Sequence, residues 1–170
     1  DGSKQQNNQC LLQNKKIAQA LLHIRYKLLL TSGKGGVCKS SVAANLAVAL
    51  AKQNVQVGIL DCDIHGPSIP TLLGLNTGLE ADALGRIIPA TARPNLRVVS
   101  MDALMQDKDT PVLWRGTKKG QAIREFLSDV KWGELDFLVI DSPPGTGDEP
   151  MTVLESIPEA LCIVVTTPQE

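Results

Sequence analysis

The stretch TSGKGGVCKSS, residues 31–41, decides the fold that we expect for this chain. It differs by one residue from the phosphate-binding loop G-x-x-x-x-G-K-[ST], in which the backbone N–H groups of a glycine-rich turn cradle phosphates. Gly33, Lys39 and Ser40 stand where that pattern requires them, whereas Cys38 stands in place of the last glycine. An apolar run precedes the stretch and an Ala/Leu-rich run follows it, which is the strand-to-helix context that the pattern requires.

Five apolar runs have the length of strands, and most are nearly continuous in hydrophobicity, as parallel strands covered on both faces are. They are YKLLLT (26–31), VQVGIL (55–60), LRVVSM (96–101), DFLVI (136–140) and LCIVVTT (161–167). Helical patterns lie between several of them, at residues 40–53, 118–130 and 149–157. This alternation predicts an α/β fold of three layers around a mostly parallel central sheet. Turn formers and two prolines in residues 76–95 predict a long surface excursion there.

Two segments of different character divide the chain. Residues 1–25 are expected to form an N-terminal extension, polar and flexible at first and then a short amphipathic helix that carries Ile17, Leu21 and Ile24 at helical spacing. Residues 26–170 are expected to form the nucleotide-binding domain. Because the chain stops just after the fifth apolar run, we expect this domain to lack its C-terminal part.

The composition argues against several classes of partner. A formal net charge of -1 and an aromatic content of 3% weigh against a nucleic-acid surface. No apolar run approaches the ~18 residues of a membrane span. The four cysteines, Cys10, Cys38, Cys62 and Cys162, form no C-x-x-C pair, which fits a reducing compartment. We therefore expect a cytoplasmic protein without nucleic-acid or membrane partners.

The glycine loop is the first segment that carries chemistry. Gly33, Gly35 and Gly36 permit a tight turn and a close approach of the backbone to a ligand. The helix that begins near Lys39 offers free N–H groups and a positive partial charge at its N-terminus. Lys39 is expected to reach β- and γ-phosphate oxygens, and the Ser40 hydroxyl to bind Mg²⁺.

Acidic residues follow two of the apolar runs, at the strand ends where ligands bind in open α/β sheets. Asp61 and Asp63 could hold Mg²⁺ waters or position an attacking water, or could only cap the strand end. Asp141 is expected to lie on the Mg²⁺ side of a phosphate loop, and Gly145 could offer its N–H to a γ-phosphate. Asp148 could cap the helix that follows.

Two further features stay open on the residues alone. His65 is better interpreted as a surface or packing residue than as a catalytic one. The segment LWRGTKKGQ, residues 113–121, contains either a packed Trp114 with a structural Arg115 or a surface for a partner.

Four segments in this order resemble the Mrp/ApbC-type nucleotide-binding proteins, of the MinD/ParA and nitrogenase-iron-protein branch of the P-loop ATPases. They are SGKGGVCKSS, DCDIHGPSIP, WRGTKK and DFLVIDSPPGTGDEP, and the resemblance runs from about residue 26 to residue 170. GPSIP and WRG separate the chain from MinD and ParA proper. The resemblance implies a P-loop NTPase fold, ATP and Mg²⁺ binding, slow ATP hydrolysis, a homodimer with nucleotide at its interface, and delivery of [4Fe–4S] clusters to apoproteins.

The resemblance also implies roles for particular residues. The nucleotide-binding residues are Gly33, Lys34, Gly35, Gly36, Val37, Cys38, Lys39, Ser40, Ser41 and Gly145. Lys34 matches a lysine that crosses the dimer interface to the partner's phosphates, and Asp63 matches the switch carboxylate that positions water. Ser40, Asp63 and Asp141 form the Mg²⁺ side of the site. The cluster ligands of the family, a C-P-x-C segment, lie beyond Glu170.

Cys38 leaves the activity open. If its position needs a positive φ, a cysteine there costs roughly 1–2 kcal/mol of backbone strain, and its side chain could obstruct a phosphate. Three interpretations of this cysteine are open. It weakens nucleotide binding, oxidation of its thiol switches nucleotide binding off, or it is a tolerated variant. The alternatives to a cluster-carrier ATPase are a MinD/ParA-like positioning ATPase and a nucleotide-sensing, non-hydrolysing subunit of a metal-protein complex.

Overall fold

A computed structural model of the chain describes residues 2–63, 69–75, 80–101 and 119–168, with the backbone alone for residues 2–10 and 119. The helices are α1 (Gly2–Ala20), α2 (Lys39–Ala51), α3 (Ile69–Leu72), α4 (Lys119–Asp129) and α5 (Asp148–Ser156). The strands are β1 (Ile24–Thr31), β2 (Val57–Asp61), β3 (Glu80–Ala81), β4 (Ile87–Ile88), β5 (Ala90–Arg93), β6 (Leu96–Ser100), β7 (Leu135–Asp141) and β8 (Leu161–Val164).

Six strands form the central sheet, in the order β5-β6-β2-β7-β1-β8. Every pair in it is parallel except β5 with β6, which is antiparallel. Strands β3 and β4 form a separate two-stranded ribbon. The mostly parallel sheet that the continuous apolar runs predict is therefore confirmed.

The sheet separates two apolar cores. On one face, side chains from α1, α4 and α5, such as Ile17, Phe126 and Val153, pack with alternate sheet residues. On the other face, the alanines of α2 and Ile69 of α3 pack with the intervening sheet residues. Small side chains on α2 let this helix lie close to the sheet, and the result is the predicted three-layer α/β/α arrangement.

Two local expectations are wrong. Residues 76–95 are not only a surface excursion, because β5 within them joins the edge of the central sheet and β4 pairs with β3. These strands are two to four residues long and mostly exposed or half-buried, so the sequence contains no apolar run of strand length there. The N-terminal segment is helical from Gly2 rather than from the middle of the extension, and Ile24 begins β1 instead of ending the helix.

The N-terminal helix is joined to the rest of the fold by both apolar and polar contacts. Ile17 and Leu21 are 0% and 1% exposed, within the core that α1, α4 and α5 form with one face of the sheet. The guanidinium of Arg124 on α4 donates to Asn14 on α1 at 2.9 Å. Within the described part of the chain, no helix is long and apolar enough to cross a membrane.

Candidate phosphate-binding site

Strand order brings the predicted site residues to one edge of the sheet. β7 lies between β1 and β2, so its last residue, Asp141, is in register with Leu30 of β1 on one side and with Asp61 of β2 on the other. All three strands run parallel, and their carboxyl ends therefore meet. The glycine loop leaves β1 at this point, and ligands bind at this edge of open α/β sheets.

Eight consecutive residues, 34–41, line a cavity of about 300 Å³ at the N-terminus of α2. Ser32, Asp63 and Pro144 complete its wall. The cavity gathers most of the predicted nucleotide-binding residues together with the predicted switch carboxylate. Gly33, Asp141 and Gly145 are not among its lining residues.

Cys38 adopts the backbone conformation that the usual glycine serves. Its φ and ψ are 62° and 27°, in the left-handed region, and it is the N-cap residue of α2. Its carbonyl accepts the N–H of Val42 at 3.0 Å, which starts the helix, while its exposed side chain makes no capping hydrogen bond. The position does need a positive φ, so the strain of roughly 1–2 kcal/mol expected of a non-glycine residue applies.

A buried ion pair joins the loop lysine to the end of β7. Lys39 Nζ donates to Asp141 Oδ1 at 2.5 Å, and the two side chains are 5% and 0% exposed. Burial raises the pKa of Asp141, whereas the charge of Lys39 and the hydroxyl of Ser40 oppose that rise. Asp141 Oδ2 is buried without a hydrogen-bond partner. One carboxylate oxygen is therefore engaged by the lysine, and the other is available to a further ligand.

Asp61 and Asp63 have different surroundings, although they are two residues apart. Asp61 is fully buried and accepts the backbone N–H groups of Asp63 at 3.0 Å and Ile69 at 3.4 Å. Desolvation, with the nearby charges of Asp141 and Asp63, raises the pKa of Asp61 to about 7 against the N–H groups that lower it. Asp61 therefore caps the strand end, whereas Asp63 is partly exposed and lines the cavity.

The second predicted loop contacts the first through its backbone. The N–H of Gly145, which the sequence assigns to a γ-phosphate, donates to the carbonyl of Ser32 at 3.0 Å. Ser32 itself is 2% exposed, and its hydroxyl has no hydrogen-bond partner. Ser32 is not among the site residues predicted from the motif, and only its position directly before Gly33 could have suggested it.

Residues in the wall of the cavity, together with Asp141 beside it, fit a small divalent cation. Ser40, Asp63 and Asp141 supply oxygen atoms, which Mg²⁺ prefers, and the unpartnered Oδ2 of Asp141 is a buried acceptor that a cation would satisfy. No group of three or more His, Cys, Asp or Glu residues within the described ranges is placed to hold a metal by itself. Such a site thus needs water or phosphate oxygens as further ligands, as is usual for Mg²⁺.

Residues 23–170 match the family described as ParA, the NUBPL iron-transfer P-loop NTPases. The chain belongs to this family. The resemblance read from the glycine loop and the two aspartate segments is therefore confirmed. His65 lies outside the described residues, and so do residues 114–118 of the motif WRGTKK. Of residue 119, the last in the motif, only the backbone is described.

Curated relatives match nearly all of the length of this chain. An iron-sulfur cluster carrier protein of Methanocaldococcus jannaschii is 51% identical over 93% of this chain and 55% of its own length. One of Saccharolobus solfataricus is 46% identical over 96% of this chain and 56% of its own length. The chain thus spans about half the length of the curated relatives that it matches.

Solved structures show the same fold. A nucleotide-binding protein from Archaeoglobus fulgidus, in complex with ADP, is 42% identical, with a TM-score of 0.77 over 92% of this chain and 60% of that one. The septum site-determining protein MinD of Pyrococcus horikoshii, complexed with Mg-ADP, is 26% identical, with a TM-score of 0.57 over 86% of this chain and 59% of that one. The three-layer P-loop fold is therefore shared with both.

Proposed function

We propose that this iron-transfer P-loop NTPase binds ATP or ADP with Mg²⁺ at residues 33–41, hydrolyses ATP slowly, and is the nucleotide-handling part of a carrier that delivers [4Fe–4S] clusters to apoproteins. The observation that carries the proposal is the cavity lined by residues 34–41 and Asp63, with a buried lysine–aspartate pair beside it. The ADP complex of the similar archaeal protein supports the nucleotide, and the names of the relatives support the cargo.

The residues in and beside the cavity contribute to phosphate binding, metal binding and hydrolysis in this proposal. The N–H groups at the start of α2 and the ammonium of Lys39 receive the phosphates. Ser40, Asp63 and Asp141 would hold Mg²⁺, which would neutralise charge on the phosphate oxygens. Asp63 orients the attacking water, and Ser41 contacts an α-phosphate oxygen. The N–H of Gly145 donates to a γ-phosphate only after its hydrogen bond to the carbonyl of Ser32 has broken.

The proposal also includes a second copy of the chain. Lys34 is exposed on the wall of the cavity, where a facing copy could receive it. In a homodimer across the nucleotide site, Lys34 would stabilise charge on the partner's phosphates, as an arginine finger does when supplied in trans. Apo iron–sulfur proteins in the cytoplasm are the proposed clients, and the cluster is cargo whose ligands are not assigned to the described residues.

Binding of a fluorescent ATP analogue tests the nucleotide site. We expect Lys39→Ala to weaken binding at least tenfold, because the variant lacks the ammonium that meets the phosphates. Lys52→Ala is the matched control, since Lys52 is an exposed lysine at the opposite end of α2, and it should bind as the wild type does. Equal binding by the Lys39 and Lys52 variants would refute the proposed site.

Hydrolysis is tested separately from binding. Asp63→Asn should reduce phosphate release far more than it weakens ATP binding, because the amide cannot act as the carboxylate does toward water. The conformation of Cys38 favours a second candidate, a subunit that binds nucleotide without hydrolysing it. Phosphate release by the wild type, with and without a reconstituted cluster, separates the two candidates.

A further inference from the structure

A second cavity, the basic cavity, has Lys16, Arg86, Lys131 and Trp132 in its wall and lies at the opposite end of the strands from the glycine loop. It forms where the ends of α1 and α4 meet the start of β7. The seven residues of β7 separate it from the glycine loop by about 20 Å, at the usual rise of a strand. Its volume of about 360 Å³ is typical of sites for small molecules.

Three cationic side chains converge on the basic cavity from separate parts of the chain. Lys16 comes from α1, Arg86 from the turn between β3 and β4, and Lys131 from the segment between α4 and β7. Neither lysine forms an ion pair with the described residues. Among the lining residues that the structure describes there is no Asp or Glu. The wall therefore brings positive charges together in a chain whose formal net charge is -1.

The negative charges beside the basic cavity leave donors available. Arg86 Nε donates to Asp82 Oδ2 at 2.8 Å, and Arg86 Nη2 lies 2.7 Å from the same oxygen. This pair fixes the guanidinium but uses only some of its N–H groups. Asp129 lies outside the wall and already accepts from the hydroxyl of Ser128 at 2.9 Å. The last carbonyls of α1 and α4 add partial negative charge, which the cations offset.

The indole of Trp132 supplies a buried donor that lacks an acceptor. Trp132 is 1% exposed, and its Nε1 has no hydrogen-bond partner among the described residues. A Cβ built at Gly58 would lie 2.9 Å from Trp132 Cζ3, so this carbon faces β2. Nε1 is attached at the opposite side of the six-membered ring, so the N–H points away from β2 and toward the helices that bound the cavity. A buried indole N–H usually has an acceptor, which a ligand in the cavity can provide.

We propose that the basic cavity binds a small organic anion that carries carboxylate or phosphate groups. The three cationic side chains bind its oxygens, and the indole N–H of Trp132 donates to the oxygen that enters deepest. All of these groups donate and none accepts, so a ligand whose polar atoms are acceptor oxygens fits them. Hydrogen bonds between charged groups are also the stronger ones. The basic cavity shares no described lining residue with the phosphate-binding cavity, so this ligand does not compete with a nucleotide for its contacts.

The indole N–H resonance of Trp132 in the isotope-labelled full chain reports on the new hydrogen bond. The chain has two tryptophans, and the spectrum of Trp114→Phe identifies the resonance of Trp132 by removing the other. Inorganic phosphate and succinate are titrated separately, with sodium chloride at equal ionic strength as the reference. We expect a saturable shift at about millimolar phosphate or succinate, and the anion that binds more tightly names the ligand class. Shifts no larger than those in chloride would overturn the proposal.

Substitution of exposed lysines tests the charges without changing the core. Lys16→Ala combined with Lys131→Ala should weaken anion binding at least tenfold, because two of the three cations are lost. Lys15→Ala combined with Lys52→Ala is the matched control, since both lysines are exposed and neither lines the cavity. The control has the same net charge as the first double variant and should bind as the wild type does. Equal weakening in the two double variants would show a general charge effect and overturn the proposal.

Discussion

Replacing Cys38 by glycine tests how far the unusual loop residue limits this site. The left-handed conformation at φ 62° costs a non-glycine residue roughly 1–2 kcal/mol. Glycine removes that cost but loses about 0.5–1 kcal/mol through its greater freedom in the unfolded chain. The difference predicts that Cys38→Gly is more stable by between about 0 and 1.5 kcal/mol. For a chain of this size that corresponds to a rise in Tm of up to about 5 °C.

The same substitution should also improve nucleotide binding. The exposed side chain of Cys38 lines the cavity, and its removal lets the backbone N–H groups at the start of α2 approach a phosphate. We expect ADP affinity in Mg²⁺ to rise at least tenfold, which corresponds to about 1.4 kcal/mol. Calorimetric titration and thermal unfolding of the same samples measure the two effects.

Cys38→Ala separates the backbone from the sulfur. Alanine retains the Cβ atom and the strain but loses Sγ, so its Tm should match the wild type while its affinity lies between those of the wild type and the glycine variant. Cys162→Ser, at an exposed cysteine on β8, controls for the loss of a thiol. An ADP affinity of Cys38→Gly no higher than that of the wild type, or a Tm below that of the wild type, would refute the reasoning.

Two further predictions concern stability. Because the folded pKa of Asp61 is raised to about 7, the folded chain binds more protons than the unfolded chain between pH 4 and 7, so stability should fall as pH rises through that range, by up to about 4 kcal/mol. Urea unfolding at several pH values should show this slope in the wild type, and Asp61→Asn should reduce it. At Gly58, an added Cβ would lie 2.7 Å from Leu135 Cδ1 and 2.9 Å from a ring carbon of Trp132, so Gly58→Ala should cost about 1–3 kcal/mol by urea unfolding. Gly147→Ala, where nothing lies within 4 Å, should change stability by less than Gly58→Ala does.

The sequence predicted the layers of the fold better than its edges. Continuous apolar runs mark β2 and β7 because both faces of these strands are covered, and β2 is buried at all of its positions. β5 is a four-residue edge strand of alternating exposure, and its pairing with β6 rather than its composition makes it a strand. Ile24 satisfies both a helical spacing and a strand pattern, and only the pairing with Leu135 decides between them.

The site was predictable in its parts but not in its connections. The glycine loop and the acidic strand ends follow from motifs, whereas the contact between Lys39 and Asp141 requires β7 to lie beside β1, and strand order is not written in any local pattern. Asp61 and Asp63 likewise differ in burial, since Asp61 is buried and Asp63 lines the cavity. The sequence does not reveal this difference, because both residues are aspartates in the same segment. The roles assigned to Lys34, Asp63 and Gly145 stay predictions.

The position of β7 between β1 and β2 also has a consequence for synthesis on the ribosome. The loop and both neighbouring strands are complete by residue 61, but the strand that joins them ends at Asp141, 80 residues later in the chain. Before β7 has been synthesised, β1 and β2 lack the strand that pairs with both of them, and their apolar side chains lack the contacts that β7 provides. Pairings of such long sequence separation form slowly and expose nascent chains to aggregation. A nucleotide bound at the proposed site could therefore stabilise this fold only after β7 has been made.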